Sequence, residues 1–246
     1  MRELEGAVAI VTGAARNIGR AIALDLADAG AAIAVVTLSD MAAAESVARE
    51  ITSKAGRAFA IQADITRPED AKRMVNDTVS RYGRLDTLVN NAGVRPESAL
   101  ENISLDDWHH VLAVVLDGAF LCCQAALPAL AEGGRGAIIN IGGLTAYTGA
   151  THRAHVITAK AGLDGLTKAL AVELAPRGIT VNLVAPGLID TKRKGEDPAH
   201  RKTRTVLAGR LGQPEDIAAM VRLLVGPRGR YLTGQTIHIS GGVYLP

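Results

Sequence analysis

The chain has 246 residues, a length that one large α/β domain with a sizeable core accommodates. It is 48% apolar but only 3% aromatic, and its net charge of +2 excludes the strongly basic balance typical of nucleic-acid binding. Cys122 and Cys123 are adjacent and poorly placed to bridge, MRELEGAVAI lacks a signal-peptide pattern, and no apolar run approaches about 18 residues; the expectation is a cytoplasmic protein taking a small-molecule partner, with no metal, nucleic acid or membrane.

In chain order, short β-rich runs alternate with longer helical patterns. AVAIVT is followed by a helix over 18–29, AIAVVT by one over 41–54, AFAIQAD by one over 68–82, and then comes TLVNNAG. A helix over 106–130, the strand GAIINI, a helix over 156–174, the strand TVNLVA, a helix over 214–224 and the strand TIHI complete the series. Strands apolar almost throughout are covered on both faces, and right-handed crossovers between them make the sheet parallel. The predicted fold is a Rossmann-type, doubly wound, three-layer α/β/α domain over 1–246, with the long charged connection 188–213 as a lid over the substrate.

VTGAARNIGRAIA follows the first strand and opens a helix, which places Gly13 in the turn and Gly19 at the helix start. Glycine there lets the backbone approach a pyrophosphate at the positive helix N-terminus. At this point the sequence resembles the short-chain dehydrogenase/reductase family, whose pattern is TGxxxGxG, and the resemblance continues through Asp64, NNAG at 90–93, PGLIDT at 186–191, GRLGQPEDIA and TGQTIHISGG. One departure is Asn17, where the family usually has its middle glycine; asparagine tolerates left-handed backbone, so dinucleotide binding is expected to be weakened or reshaped, not abolished. The resemblance implies that Arg16, Asn17 and Ile18 lie against the dinucleotide with the two glycines. It also implies that Asp64 and Ile65 hold the adenine, that Asn91, Ala92 and Gly93 line the ribose side, and that Pro186, Gly187, Ile189 and Thr191 hold the carboxamide. The second strand ends in Thr37, Leu38 and Ser39, with no carboxylate to repel a 2′-phosphate, and Arg16 is able to pair with one; NADP(H) is therefore expected over NAD(H).

Carbonyl reduction by hydride requires a proton donor and hydrogen bonds aimed at the developing alkoxide. The family supplies a serine, a tyrosine, a lysine and an asparagine. An ungapped alignment of 136–171 puts the lysine at Lys160, the tyrosine at Val156 and the serine at Gly143, while WHHVLAVVLDGAF places Val115 at the asparagine. Tyr147, nine residues before Val156, cannot move into place without breaking the strand and helix that frame the segment. Lys160 and His155 are the candidate catalytic residues, the second because an imidazole near its ordinary pKa can donate a proton at neutral pH; it shares the tyrosine's direction only if the helix begins after it. Gly143, Thr145, His152, Val156 and Arg95 are candidate substrate contacts.

Lys192, Arg193, Lys194, Arg201, Lys202 and Arg204 make the connection after PGLIDT basic, which suits either an anionic substrate or a solvated segment. The reading that results is an atypical NADP(H)-dependent oxidoreductase acting on a carbonyl, an alcohol or another polarised double bond. Its rivals are a redox-silent dinucleotide-binding protein and a lyase, isomerase or hydratase on the same fold. The resemblance further implies a homotetramer, or a dimer, assembled through helices 106–130 and 156–174 and the last strand.

Overall fold

The computed structural model describes residues 2–192 and 204–246. Seven parallel strands form one sheet in the order β3-β2-β1-β4-β5-β6-β7. They are β1 Val8–Thr12, β2 Ala32–Thr37, β3 Arg57–Gln62, β4 Thr87–Asn90, β5 Ala137–Ile141, β6 Thr180–Pro186 and β7 Thr236–Ile239. Alternation along β1 shows why these strands read as continuous apolar runs: Ala9 and Val11 join the core on one face, Val8 and Ile10 the core on the other. The first core is closed by α1 (Asn17–Asp28), α2 (Met41–Ser53) and α8 (Pro214–Val225). The second is closed by α3 (Pro68–Tyr82), α5 (Gly118–Glu132) and α7 (Ala154–Leu174). This is the expected doubly wound single domain. The strand order reverses between β1 and β4, and in such sheets ligands bind outside the carboxyl ends of the strands at that point.

Helix boundaries follow local chemistry. Asp40 caps α2 by accepting from the Ala43 amide, Pro68 opens α3, and Gly83 ends α3 in the left-handed region at φ 79°. The helix expected over 106–130 is more complicated. α4 (Leu105–Leu112) runs through a π-helical turn, Ala113–Asp117, into α5; a π-bulge has no composition of its own, so no pattern along the chain announces it. The continuous helix Leu105–Glu132 is, by length and composition, long and apolar enough to cross a membrane, with a mean hydropathy of 1.9 over its best window. It packs on α3, β4 and β5, as a core helix does. A short helix, α6 (Thr145–Thr148), was also not expected.

Asp86, 5% exposed, joins the two halves of the sheet at its N-terminal edge: its carboxylate accepts from the Val8 amide at 2.9 Å and from Arg84 at 2.6 and 2.8 Å. Asp86→Ala leaves a buried amide without an acceptor, and a loss of about 2–3 kcal/mol, read as a fall in Tm with dinucleotide affinity preserved, is the expected outcome.

Candidate active site

Gly13 turns the chain out of β1 at φ 63°, and α1 begins three residues after Ala14 with its first amides facing the switch point. Gly19 is fixed by packing: a Cβ there would lie 2.4 Å from the Gly13 carbonyl oxygen and 2.5 Å from Asn91 Nδ2. Asn91 is in turn bound to the turn, since its Nδ2 donates to the carbonyls of Thr12 (2.9 Å) and Gly13 (3.1 Å). The organiser of this corner is Thr12, which the sequence reading missed. Its buried hydroxyl accepts from the amides of Asn91 and Ala92, both at 3.0 Å, and donates to Val89 O. An ordinary threonine at a strand end carries no signal of this role. The glycine turn and NNAG are thus one rigid unit.

Farther along the switch, Asp64 Oδ1 accepts from the Thr66 amide and hydroxyl, which fixes the carboxylate at the end of β3, and Ile65 is buried against Gly118. At the end of β2, Thr37 is buried, Leu38 is 61% exposed, and no carboxylate stands in the Thr37–Ser39 segment. Arg16 is exposed at the N-cap of α1 and makes no ion pair among the described residues. Beyond β6, Gly187 is pressed against β7: its amide donates to Ile239 O, and a Cβ would lie 2.6 Å from Ser240 Cα. The buried Thr191 hydroxyl has no partner among the described residues. Asn17 adopts φ 50°, as the substitution for glycine led one to expect, but its side chain reaches across to the backbone of Lys192.

The cleft floor carries one buried cation. Lys160, on α7, is 9% exposed and donates from Nζ to Ile141 O at 2.5 Å, with Nζ 3.8 Å from where a Cβ on Gly93 would stand. Burial, and secondarily the charge of Arg95, pull its pKa down from 10.5 to about 8. Beside it Val156, 2% exposed, packs with Val111, Val115 and Ala159, with Val94 and Leu112 against them. Val115 lies in the π-helical turn, which aims its side chain into this aliphatic cluster. At Gly143 a Cβ would meet nothing within 4 Å.

With this geometry in view, comparison with known proteins is decisive for ancestry. A family model described as enoyl-(acyl carrier protein) reductase matches residues 13–244. A 3-oxoacyl-(acyl-carrier-protein) reductase of Staphylococcus aureus is 41% identical over 240 residues, covering 96% of this chain and 98% of its own. The chain belongs to the short-chain dehydrogenase/reductase family. Among solved structures, a dehydrogenase/reductase from Sinorhizobium meliloti superposes with a TM-score of 0.94 at 39% identity, covering 99% of this chain and 97% of its own. A short-chain dehydrogenase from Burkholderia cenocepacia, in complex with NADP, gives 0.91 at 37% identity, with 98% and 99% covered.

Placed in that family, the remaining site expectations divide. Helix α7 of this short-chain dehydrogenase/reductase begins at Ala154, before His155, so the imidazole points about 100° away from Val156 and does not take its direction. His155 is 1% exposed, and its Nδ1 has no partner among the described residues. His152 is exposed, at φ 60°, and its carbonyl accepts from the Ser98 amide. Its neighbour Arg153 is buried and donates twice to Glu97 Oε1, at 2.6 and 2.8 Å, which ties the chain after NNAG to the start of α7. Thr145 is half-buried in α6, and Tyr147 turns its ring onto His238 at 4.6 Å and away from Lys160; burial pushes its phenol up to about 12. Of the basic connection, Lys192 and Arg204 are described, the second donating to Gly149 O at 2.8 Å, while Arg193, Lys194, Arg201 and Lys202, and most of the expected lid, lie outside the described residues.

Proposed function

We propose that this protein is an NADP(H)-dependent reductase of a carbonyl or other polarised double bond in a small, anionic molecule, working without the serine, tyrosine and asparagine usual in its family. The observation that carries the reading is the contrast inside one cleft. The dinucleotide cradle of Gly13, Gly19, Asn91 and Lys160 is whole, whereas the side chains next to Lys160 are Val156 and Val115. The chain's residues fit a dinucleotide: the buried Thr191 hydroxyl lacks a partner, and the glycine turn leaves no room for a larger residue at Gly19. The NADP bound by the Burkholderia cenocepacia relative, and the missing carboxylate at Thr37–Ser39, favour the phosphorylated cofactor, with Arg16 placed to meet its 2′-phosphate.

When bound, the reduced dinucleotide supplies a hydride to the substrate carbon. Lys160 would hold it by the nicotinamide ribose, and Thr191 would offer its hydroxyl to the carboxamide. The proton for the substrate oxygen comes from Lys160 Nζ, whose lowered pKa leaves it charged at neutral pH yet ready to give up a proton, or from solvent admitted over Gly143. Arg95 and Lys160 place two cations at the cleft, which favours a carboxylate or a thioester with a phosphate-bearing carrier. Loss of a general acid removes about 10²–10⁴-fold in rate and leaves positioning intact, so slow turnover is the expectation.

The test is titration of NADPH and NADH by fluorescence, followed by NADPH oxidation against carbonyl substrates with and without an anionic group. Tight NADPH binding with measurable oxidation supports the reading; binding with no oxidation on any substrate favours a redox-silent sensor, and product formed without NADPH consumption favours a lyase or isomerase. Donation by Lys160 further requires that the reduction rate fall as pH rises through about 8, because the donor is then deprotonated; a flat profile assigns the proton to solvent. For cofactor choice, Leu38→Asp places a carboxylate beside the 2′ position, and a shift of at least about tenfold toward NADH in the ratio of affinities is expected.

A further inference from the structure

Asn17 stands at a position where a side chain is a liability. Its φ of 50° is in the left-handed region, which glycine adopts freely and asparagine only at a cost in strain. What the side chain does there is specific. Its Nδ2 donates to Lys192 O at 3.2 Å and its Oδ1 accepts from the Lys192 amide at 3.1 Å, so one carboxamide is paired with both polar groups of one residue 175 positions away. Only asparagine among residues of this length offers a donor and an acceptor in one plane; aspartate has no donor for the Lys192 carbonyl.

The other attachments of the segment show what this pairing controls. After β6, Gly187 donates to Ile239 O. Asp190 then donates to Gly212 O at 2.7 Å, and Gly212 donates back to Leu188 O at 3.0 Å. The chain is therefore fixed on the β7 and α8 side as far as Asp190. The next tether is Asn17, on the opposite side of the switch point, and between the two sits Thr191 with its buried, unpartnered hydroxyl.

We propose that Asn17 is a positioning residue that latches the segment 188–192 to the glycine turn, holding the Thr191 hydroxyl where a bound dinucleotide meets it and slowing the dinucleotide's release. This builds on the NADP(H) reading above. In general two exposed hydrogen bonds of this kind amount to roughly a five- to tenfold change in an equilibrium constant. Both hydrogen bonds are present without a ligand, so the latch presets the segment, and its contribution is read in how long the bound dinucleotide stays.

The test compares wild type with Asn17→Gly and Asn17→Asp by stopped-flow NADPH binding and release, with Tm of the nucleotide-free protein alongside. For Asn17→Gly the expected result is a release rate and Kd raised about five- to tenfold, an association rate within about twofold, and a nucleotide-free Tm unchanged or higher because glycine relieves the left-handed strain. Asn17→Asp should bind more weakly than Asn17→Gly, since a carboxylate then faces both the Lys192 carbonyl and the dinucleotide phosphates. NADPH binding by Asn17→Gly as tight as wild type, or weaker binding matched by lower nucleotide-free stability, overturns the proposal. Should wild type bind no NADPH, the reading under Proposed function fails first, and the latch is judged by hydrogen exchange at the Lys192 amide of the nucleotide-free protein. Faster exchange in Asn17→Gly upholds the latch, and equal exchange removes it.

Discussion

The double substitution Gly143→Ser, Val156→Tyr is expected to raise the rate of carbonyl reduction by about 100-fold or more. The reason is geometric as well as chemical. A positioned acid contributes about 10²–10⁴-fold, and a hydroxyl aimed at the developing alkoxide adds to it. The space for a serine exists, because a Cβ at Gly143 meets nothing within 4 Å. Lys160, whose ammonium would lower the phenol's pKa, is one helical turn from Val156 on α7. The obstacle is the aliphatic cluster of Val111, Val115, Val156 and Ala159, into which extra volume costs about 1–3 kcal/mol unless the ring swings out toward the open side at Gly143. Adding Val115→Asn opens that cluster and supplies the third polar group. The measurement is kcat for NADPH oxidation with a 3-oxoacyl thioester, together with Tm and NADPH affinity to establish that the variant is folded and loaded. A folded, NADPH-binding variant that is no faster than wild type would mean that the aliphatic cluster is not where the missing acid belongs.

Lys160→Met is expected to do two opposite things: to raise Tm by several degrees at pH 7 and to lower kcat/KM by about 100-fold or more. The stability gain follows from linkage. The native pKa lies near 8 and the unfolded value near 10.5, so below pH 8 both states carry the proton and the full cost of burying the charge, about 3 kcal/mol, is present. Between pH 8 and 10.5 the native state has released the proton while the unfolded chain keeps it, so wild-type stability rises with pH through that window. Methionine removes the charge at similar volume, and the Ile141 carbonyl, which loses its donor, returns about 1 kcal/mol of the gain. At roughly 2–4 °C per kcal/mol for a chain of this size, the net is a rise of several degrees that shrinks toward pH 10. The loss of activity follows if, as proposed, Lys160 is both the ribose contact and the proton source. Melting curves at pH 7 and pH 10 check the first half; an equal gain at both values would show that Lys160 is not the buried titrating group. NADPH titration checks the second.

The two variants bear on one property of the site. The protein keeps a buried cation at a cost in stability, a cost that a group held only for packing would not justify, and it surrounds that cation with aliphatic side chains where a hydrogen-bonded chain is usual in the family. Under the proposed function such a site would still bind and orient, with Lys160 as its proton donor. The Arg153–Glu97 pair and the Asn91–Thr12 bonds hold the walls of the cleft independently of those side chains, so the scaffold stays in place when they change.

Much of this was legible in the order of residues. Runs such as AVAIVT and AIAVVT, apolar at every position, require cover on both faces, and helices between them then allow only a parallel sheet wound in both directions. Gly13 and Gly19 could be placed because glycine turns and helix starts are local, short-range features, whereas Lys160 was placed only by resemblance to the family's motif. The burial of Arg153 was not legible, since a charged residue in a turn has no local sign of a partner 56 positions away. For His155 a difference of two residues matters: whether α7 begins at 154 or 156 is decided by packing, and with the start at 154 the imidazole is buried.

By itself the sequence determined the sheet, its cover and the glycine turn after the first strand, because periodicity and local backbone preference are written along the chain. Only the tertiary structure decided that Val111, Val115 and Val156 form one wall beside Lys160, and that Asn17 meets Lys192. These contacts join segments far apart in the chain, and their geometry is set by how helices pack on the sheet, which no local pattern encodes.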